Sequence, residues 1–329
     1  MTLQVNNSLL TLLASCETKT WLRWGQELVM TEKQEPGPLE VGQVLHVALD
    51  GWMRGCEDEV VLGAFDRAWT DVIGEQVPRQ ERLHHANVKC CLGHWLSQTP
   101  RRPGIMVLQT ESTFEVSLGT VHGEEVIYYG TPDALIEWHG EQYVLDHKST
   151  GDIDESWGDQ WTMNTGLQGY VWGLRALGHK IKGAFVNGME VKRLPPWDGN
   201  MEKKCQTHKV EYQECQPLHV SGRWVGPLWW SRSRLAQWKA DALAQVEKLL
   251  ALREHAEYVA ANPPTFGQER MHEVMMDGQF RWPGCNGGRG FGPCAYRAFC
   301  QAGRPVQGLA QMMVQQDWRR ESVTPEPES

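Results

Sequence analysis

Two carboxylates and an ammonium group stand close together in the string Pro-Asp-Ala-Leu-Ile-Glu-Trp-His-Gly-Glu-Gln-Tyr-Val-Leu-Asp-His-Lys-Ser, which runs from Pro132 to Ser149. In a strand, residues two apart face the same side, so Asp146 and Lys148 point together while His147 points away. A short turn around His139 and Gly140 brings Asp133 across from them. Oxygen ligands of this kind suit Mg²⁺ or Mn²⁺, and a lysine beside the metal orients or activates an attacking water. Hydrolysis of a phosphodiester needs that set: a cation to offset charge developing on the phosphate, and a water held in line. Taken in isolation, Asp-x-Lys on a strand is equally an ordinary solvated face.

A second chemistry sits near the C-terminus, where Pro-Gly-Cys-Asn-Gly-Gly-Arg-Gly-Phe-Gly-Pro-Cys-Ala-Tyr-Arg-Ala-Phe-Cys holds Cys285, Cys294 and Cys300. Thiolates on a Gly-rich irregular segment suit a metal or cluster, because glycine lets the backbone wrap an ion closely. Three thiolates leave a fourth position open. The remaining cysteines, Cys56, Cys90, Cys91, Cys205 and Cys215, read as small buried hydrophobes.

These groups need elements to position them. Residues 8–25 read as a helix with Leu9, Leu10, Leu13, Trp21 and Trp24. A second helix begins near Val41, with Leu45, Ala48, Leu49 and Trp52 at helical spacing and His46 at the edge of that face. Helical sequence continues to Gln98, and Thr-Pro-Arg-Arg-Pro-Gly breaks it. From Ile105 the period becomes two, and three segments separated by short turns read as a meander of strands. Leu167, Tyr170, Val171, Leu174 and Leu177 restore the helical period, and Gly178 supplies the stop. A strand at 183–191 and a long helix from Trp230 to Ala261, ended by Pro263 and Pro264, complete the pattern.

The 329 residues carry 32 Lys+Arg against 41 Asp+Glu, a formal net charge of −9, which excludes a basic protein that coats nucleic acid indiscriminately and leaves room for a local groove. Nine cysteines without paired spacing speak against a secreted disulfide framework and for a reducing, cytoplasmic compartment. The N-terminal Leu-Ala-Ser-Cys resembles a lipoprotein cleavage site, but no Lys or Arg precedes Lys19, so no signal peptide is expected. No run approaches the length of a membrane span.

The order of these motifs resembles the PD-(D/E)xK nuclease superfamily, with Pro132, Asp133, Asp146 and Lys148 in the motif positions. It resembles in particular the RecB-like exonuclease branch that carries an iron–sulfur cluster, as in CRISPR-adaptation and AddB-type nuclease domains. That branch has an upstream Gly-x-x-x-His, matched by Gly42 to His46, and a glutamate before the core strands, matched by Glu111 with Glu115 as fallback. It also has a helix with Gln and Tyr four residues apart. Tyr170 matches the tyrosine, but Gly166 stands four residues earlier and Gln168 is the available glutamine. Cys16 matches the branch's fourth cluster ligand, although eight residues separate Cys285 from Cys294 where the branch has two.

The resemblance implies an α/β fold: a restriction-endonuclease-like core with a mixed central sheet flanked by helices, a helical N-terminal part and a Cys-rich C-terminal staple. One nuclease domain is expected over 1–302, comprising a helical part 8–98, a sheet core 105–191 and a cluster segment 231–301, with a partly disordered tail 303–329. It further implies a Mg²⁺- or Mn²⁺-dependent exonuclease on single-stranded DNA or duplex ends, in recombination, repair, phage DNA metabolism or CRISPR adaptation. His46, Asp133, Asp146 and the His147 carbonyl would hold the metal, Glu111 would assist, Lys148 would position the nucleophile, and Tyr170 and Gln168 would face the substrate. Cys16, Cys285, Cys294 and Cys300 would hold a [4Fe–4S] cluster, with zinc as the alternative. Arg101, Arg102, Arg232, Arg234 and Lys239 are candidate phosphate contacts. Two rival readings stay open: a non-catalytic DNA-binding partner on the same fold, and a zinc protein of another class.

Overall fold

The computed structural model describes residues 2–15, 28–30, 36–99, 104–195, 201–202, 204, 209–211, 216–261 and 313–315. In chain order the elements are β1 (Thr2–Val5), α1 (Asn7–Ser15), β2 (Leu28–Met30), α2 (Pro38–Met53), α3 (Asp58–Val72) and α4 (His85–Gln98). They continue with β3 (Ile105–Thr110), β4 (Phe114–Val121), β5 (Glu124–Gly130), β6 (Ala134–Trp138), β7 (Glu141–Thr150), α5 (Thr165–Ala176) and β8 (Ile181–Glu190). Last come β9 (Gly222–Leu228), α6 (Arg232–Ala261) and β10 (Met313–Gln315). The chain falls into two units: Met1–Gln34, Ser117–Tyr128 and Lys239–Ser329 form one, and Glu35–Val116 with Tyr129–Trp238 form the other.

The second unit is built on a mixed five-stranded sheet in the order β3-β6-β7-β8-β9. Strands β6 and β7 form an antiparallel hairpin that pairs Ala134 with Leu145 and Trp138 with Glu141. Its two-residue connection, His139 and Gly140, has positive φ at both positions (53° and 76°), the backbone that matches the twist of the flanking strands. Strands β7 and β8 run parallel, which a tight turn cannot connect; α5 lies on that crossover. An interior strand, β8 is buried at nine of its ten positions, and its sequence is correspondingly mostly apolar, with Asn187 and Glu190 the buried polar residues.

Helices α2, α3 and α4 form the helical layer. Val44, Leu45, Leu49 and Trp52 of α2, Phe65 and Trp69 of α3, and Val88, Leu92 and Trp95 of α4 share one core with Ile136, Leu145 and Phe185 of the sheet. The fold is therefore α/β with a mixed sheet flanked by helices, as the motif order implies. No described helix is long and apolar enough to cross a membrane.

In the first unit, β1 runs parallel to β5, β4 lies on the far side of β5, and β2 pairs antiparallel with β10. From Lys239 on, α6 buries Ala242, Val246, Leu249 and Leu250, a helical stripe.

Several features differ from the sequence expectation, among them the unanticipated short strands β1, β2 and β10. The strand region does not form one meander: β3 pairs with β6, while β4 and β5 join a separate sheet with β1. Alternation marks each segment as a strand but carries nothing about its partner, which burial of both faces decides. Strand β9 was not anticipated, because Gly222, Gly226 and Pro227 interrupt its pattern. Of the helix expected over 8–25, the structure describes α1 to Ser15, and the rest lies outside the described residues.

Candidate active site

Helix α2 starts at Pro38, where the ring's fixed φ suits the first turn, and the Glu40 carboxylate accepts the Gly37 N–H at 2.8 Å. With that start fixed, the apolar face of α2 turns inward and His46, next to buried Leu45, is left at the rim. His46 Nδ1 lies 2.9 Å from Asp133 Oδ1. The other carboxylate oxygen of Asp133 accepts the backbone N–H of His147. Asp133 immediately precedes β6, is 8% exposed, and is held by both oxygens.

Glu111 reaches the same place by a backbone device. At the end of β3 it adopts φ +46°, and its N–H donates to the Asp133 carbonyl at 3.0 Å. A non-glycine residue in this region is uncommon and turns the chain sharply, here aiming a carboxylate at its neighbour. One ligand atom from each of His46, Glu111 and Asp133 lies within 4.8 Å of the others. The structure thus places Glu111 in the donor group itself, where the motif resemblance implies an assisting role.

The electrostatics follow from crowding. Burial pushes the Asp133 carboxyl up, but the His46 hydrogen bond and charge outweigh it and hold it down at about 2. Glu111 goes the other way: burial and the Asp133 charge push it up to about 7. For His46, burial disfavours the cation and Asp133 more than compensates, raising its pKa. Two carboxylates whose mutual repulsion is relieved by adding positive charge, beside an imidazole, are a donor set that fits a hard divalent cation.

Strand β7 performs the separation expected of period two. Lys148 Nζ lies 2.6 Å from Asp146 Oδ2, whereas the His147 ring turns to the core, edge-on to Trp52 at 6.2 Å. His147 Nδ1 lies 3.2 Å from Asn187 Nδ2 on the adjacent β8, and burial pushes its pKa down to about 4, so the imidazole is neutral. The His147 side chain is therefore part of the core, and only its backbone reaches the carboxylates. Burial pushes the Asp146 pKa up. Burial opposes the Lys148 cation, yet Asp146 and Asp133 raise its pKa, so Lys148 stays protonated. Asn187 was not singled out in the sequence, where it is one polar residue inside the strand expected at 183–191 and nothing local marks its partner on β7.

Helix α5 is capped by Asn164, whose side chain accepts the Leu167 N–H at 2.9 Å. Gln168 on this helix is fully buried, and its Oε1 accepts from Arg234 Nε at 2.9 Å. No hydrogen bond links Gln168 to His46, Glu111, Asp133 or Asp146, and Arg234, a candidate phosphate contact, is engaged with Gln168 instead. Tyr170 packs edge-on to Phe114 at 6.3 Å and lies over Gly130, where a Cβ would come within 2.8 Å of its ring. Cys16, Cys285, Cys294 and Cys300, and likewise Arg101 and Arg102, lie outside the described residues.

A family model, that of the PD-(D/E)XK nuclease superfamily, matches residues 4–301. No curated protein matches the chain. Among solved structures, the crystal structure of SSO0001 aligns over 72% of this chain and 84% of its own at 11% identity, with a TM-score of 0.27.

Proposed function

Because the chain belongs to the PD-(D/E)XK nuclease superfamily, we propose that it is a Mg²⁺- or Mn²⁺-dependent deoxyribonuclease of the RecB-like kind, an exonuclease acting on single strands or duplex ends. The observation that carries the reading is the donor group of His46, Glu111 and Asp133, whose Asp133 opens the same hairpin that carries the Asp146–Lys148 pair.

In this reading His46, Glu111 and Asp133 hold the divalent ion, with Asp146 completing the acidic surround. When bound, the ion supplies charge to offset that on the scissile phosphate and makes a coordinated water more acidic. Asp133 is ionised throughout the neutral range and already fixed by the His147 N–H, so it is preorganised rather than recruited. A protonated Lys148 cannot take the water's proton. It acts as a donor, held beside Asp146, that orients the water oxygen toward phosphorus as the bond to the leaving sugar oxygen breaks, the water's proton being lost to solvent and the leaving oxygen taking one from solvent. Tyr170 contacts the substrate strand. Gln168 supports this helix from the interior through Arg234.

The [4Fe–4S] cluster on Cys16, Cys285, Cys294 and Cys300 rests on the cysteine pattern and its resemblance to the cluster-bearing branch. It would join the two ends of the chain and stabilise the fold by restricting the unfolded ensemble.

End-labelled single-stranded DNA, incubated with Mg²⁺ or Mn²⁺ and with chelator as control, tests the activity. Progressive shortening that a block at one end abolishes supports the exonuclease reading and fixes its polarity. Cleavage of circular single strands, or metal-independent activity, would overturn it. A brown protein with broad visible absorbance, bleached in Cys294→Ser, supports the cluster; a colourless zinc-containing protein excludes it.

A further inference from the structure

His46 and Asp50 of α2, and Arg54 at its C-cap, follow one another at intervals of four, a spacing that keeps side chains on one face and leans each back toward the helix start. Arg54 shares its Nε–H between Asp50 Oδ1 at 3.0 Å and Thr110 Oγ1 at 3.1 Å. Thr110 pairs with Ala134 across β3 and β6, next to Asp133, and immediately precedes Glu111. One guanidinium is thereby fixed to both elements that deliver a donor, α2 with His46 and β3 with Glu111.

The donor group opens on this side. Asp133 is buried, His46 half-buried and Glu111 exposed, so a phosphate that reaches these groups enters past Glu111. The charge of Arg54 is felt at that point, where with His46 it works against the upward push of burial, Asp133 and Asp50 on the Glu111 carboxyl.

A cation at the end of a helix, paired with a carboxylate four residues back, has a structural use that needs no ligand, and a lysine would serve it as well. That use leaves over the terminal nitrogens of an arginine. Among the described residues no hydrogen bond occupies Arg54 Nη1 or Nη2, and the side chain is 60% exposed. Anchored through Nε, the guanidinium keeps a planar fork of N–H groups that matches two oxygens of a phosphate. Arg234, by contrast, is engaged through its own Nε with buried Gln168.

We propose that Arg54 binds a backbone phosphate of the substrate strand at the entrance to the His46–Glu111–Asp133 group. The contact rests on the nuclease reading and adds to it a residue outside the metal-binding set. Asp50, a carboxylate that would repel the strand, is offset by the same ion pair that orients the fork.

Anisotropy of labelled single-stranded DNA bound to the full-length chain, followed over a salt series, tests the contact; Mn²⁺ is present, and an Asp146→Asn background slows cleavage. Each phosphate contact on a single strand contributes about 0.7 to the slope of log K against log salt. Arg54→Gln should lower the slope by about that amount and weaken binding by about tenfold, alike for different base sequences. Arg54→Lys should keep the slope, because the charge remains, and lose part of the affinity with the fork. Calorimetry should show Mn²⁺ binding unimpaired in Arg54→Gln, so that the loss is not laid to a disturbed donor group. An unchanged slope in Arg54→Gln, a lowered slope in Arg54→Lys, or weakened Mn²⁺ binding would overturn the proposal and leave Arg54 as a brace between α2 and β3. The nuclease reading fails by a different result: if the unmodified chain leaves end-labelled DNA uncut with Mn²⁺, that reading falls and this contact with it.

Discussion

His46 on α2 and Asp133 at the entry to β6 stand 87 residues apart in sequence, yet their Nδ1 and Oδ1 atoms are 2.9 Å apart. This link joins the helical layer to the β6–β7 hairpin, and it places an imidazole on a carboxylate whose other oxygen is already held by the His147 backbone. Metal binding should consequently depend on residues from three separate elements.

Calorimetry with Mn²⁺ addresses that dependence. His46→Ala, Glu111→Gln and Asp133→Asn should each weaken Mn²⁺ binding, by at least about tenfold given the cost of disturbing even outer partners of a metal. Glu111 is the discriminating variant. If Glu111→Gln bound Mn²⁺ normally while losing activity, Glu111 would assist the reaction without holding the ion.

Asp146 and Lys148 should act as a unit. Asp146→Asn and Lys148→Met should each lower the single-turnover rate by about 10²–10³-fold, the range for removing a positioned, preorganised polar group. The double variant should be no slower than the slower single, because residues that share one task are not additive. Multiplying effects would show that the 2.6 Å pair does not serve a common step.

The Asp66 carboxylate binds Lys89 at 2.5 Å and His85 at 2.9 Å, tying α3 to α4 and its approach. Burial pushes its pKa up, but these partners outweigh burial and hold it below its ordinary value of 3.8. A carboxyl depressed in the folded state contributes stability that is present above the unfolded value and lost as pH falls through the folded one. Asp66→Asn should therefore cost stability at pH 7, by under about 1 kcal/mol for so exposed a pair, and nothing once the pH is below both values. Urea unfolding at the two extremes measures the difference; an equal cost at low pH would assign it to packing.

Gly130 makes room for Tyr170. An alanine there would meet the ring at 2.8 Å and Phe114 at 3.1 Å, so Gly130→Ala should destabilise the fold by about 1–3 kcal/mol and displace the tyrosine. Fluorescence anisotropy with labelled single-stranded DNA should show weaker binding, in the same direction as Tyr170→Ala. Unchanged binding in both variants would remove Tyr170 from the substrate-binding surface.

The residues themselves determined a good deal. Alternation put Asp146 and Lys148 on one side of β7 and His147 on the other, and the His139–Gly140 turn set Asp133 opposite Asp146, because a period of two and a two-residue turn are local properties. The helical stripe of α2 likewise put Leu45, Ala48, Leu49 and Trp52 inside and His46 at the rim. Other relationships belong to the tertiary structure. That β3 pairs with β6 while β4 and β5 leave for another sheet, that Glu111 turns through a positive φ into the donor group, and that Gln168 is buried on Arg234 all depend on distant segments. Periodicity tells a residue which way to face. Which partner it meets is settled only when both faces of the sheet are covered, since a slip of register would then carry a buried face out to solvent.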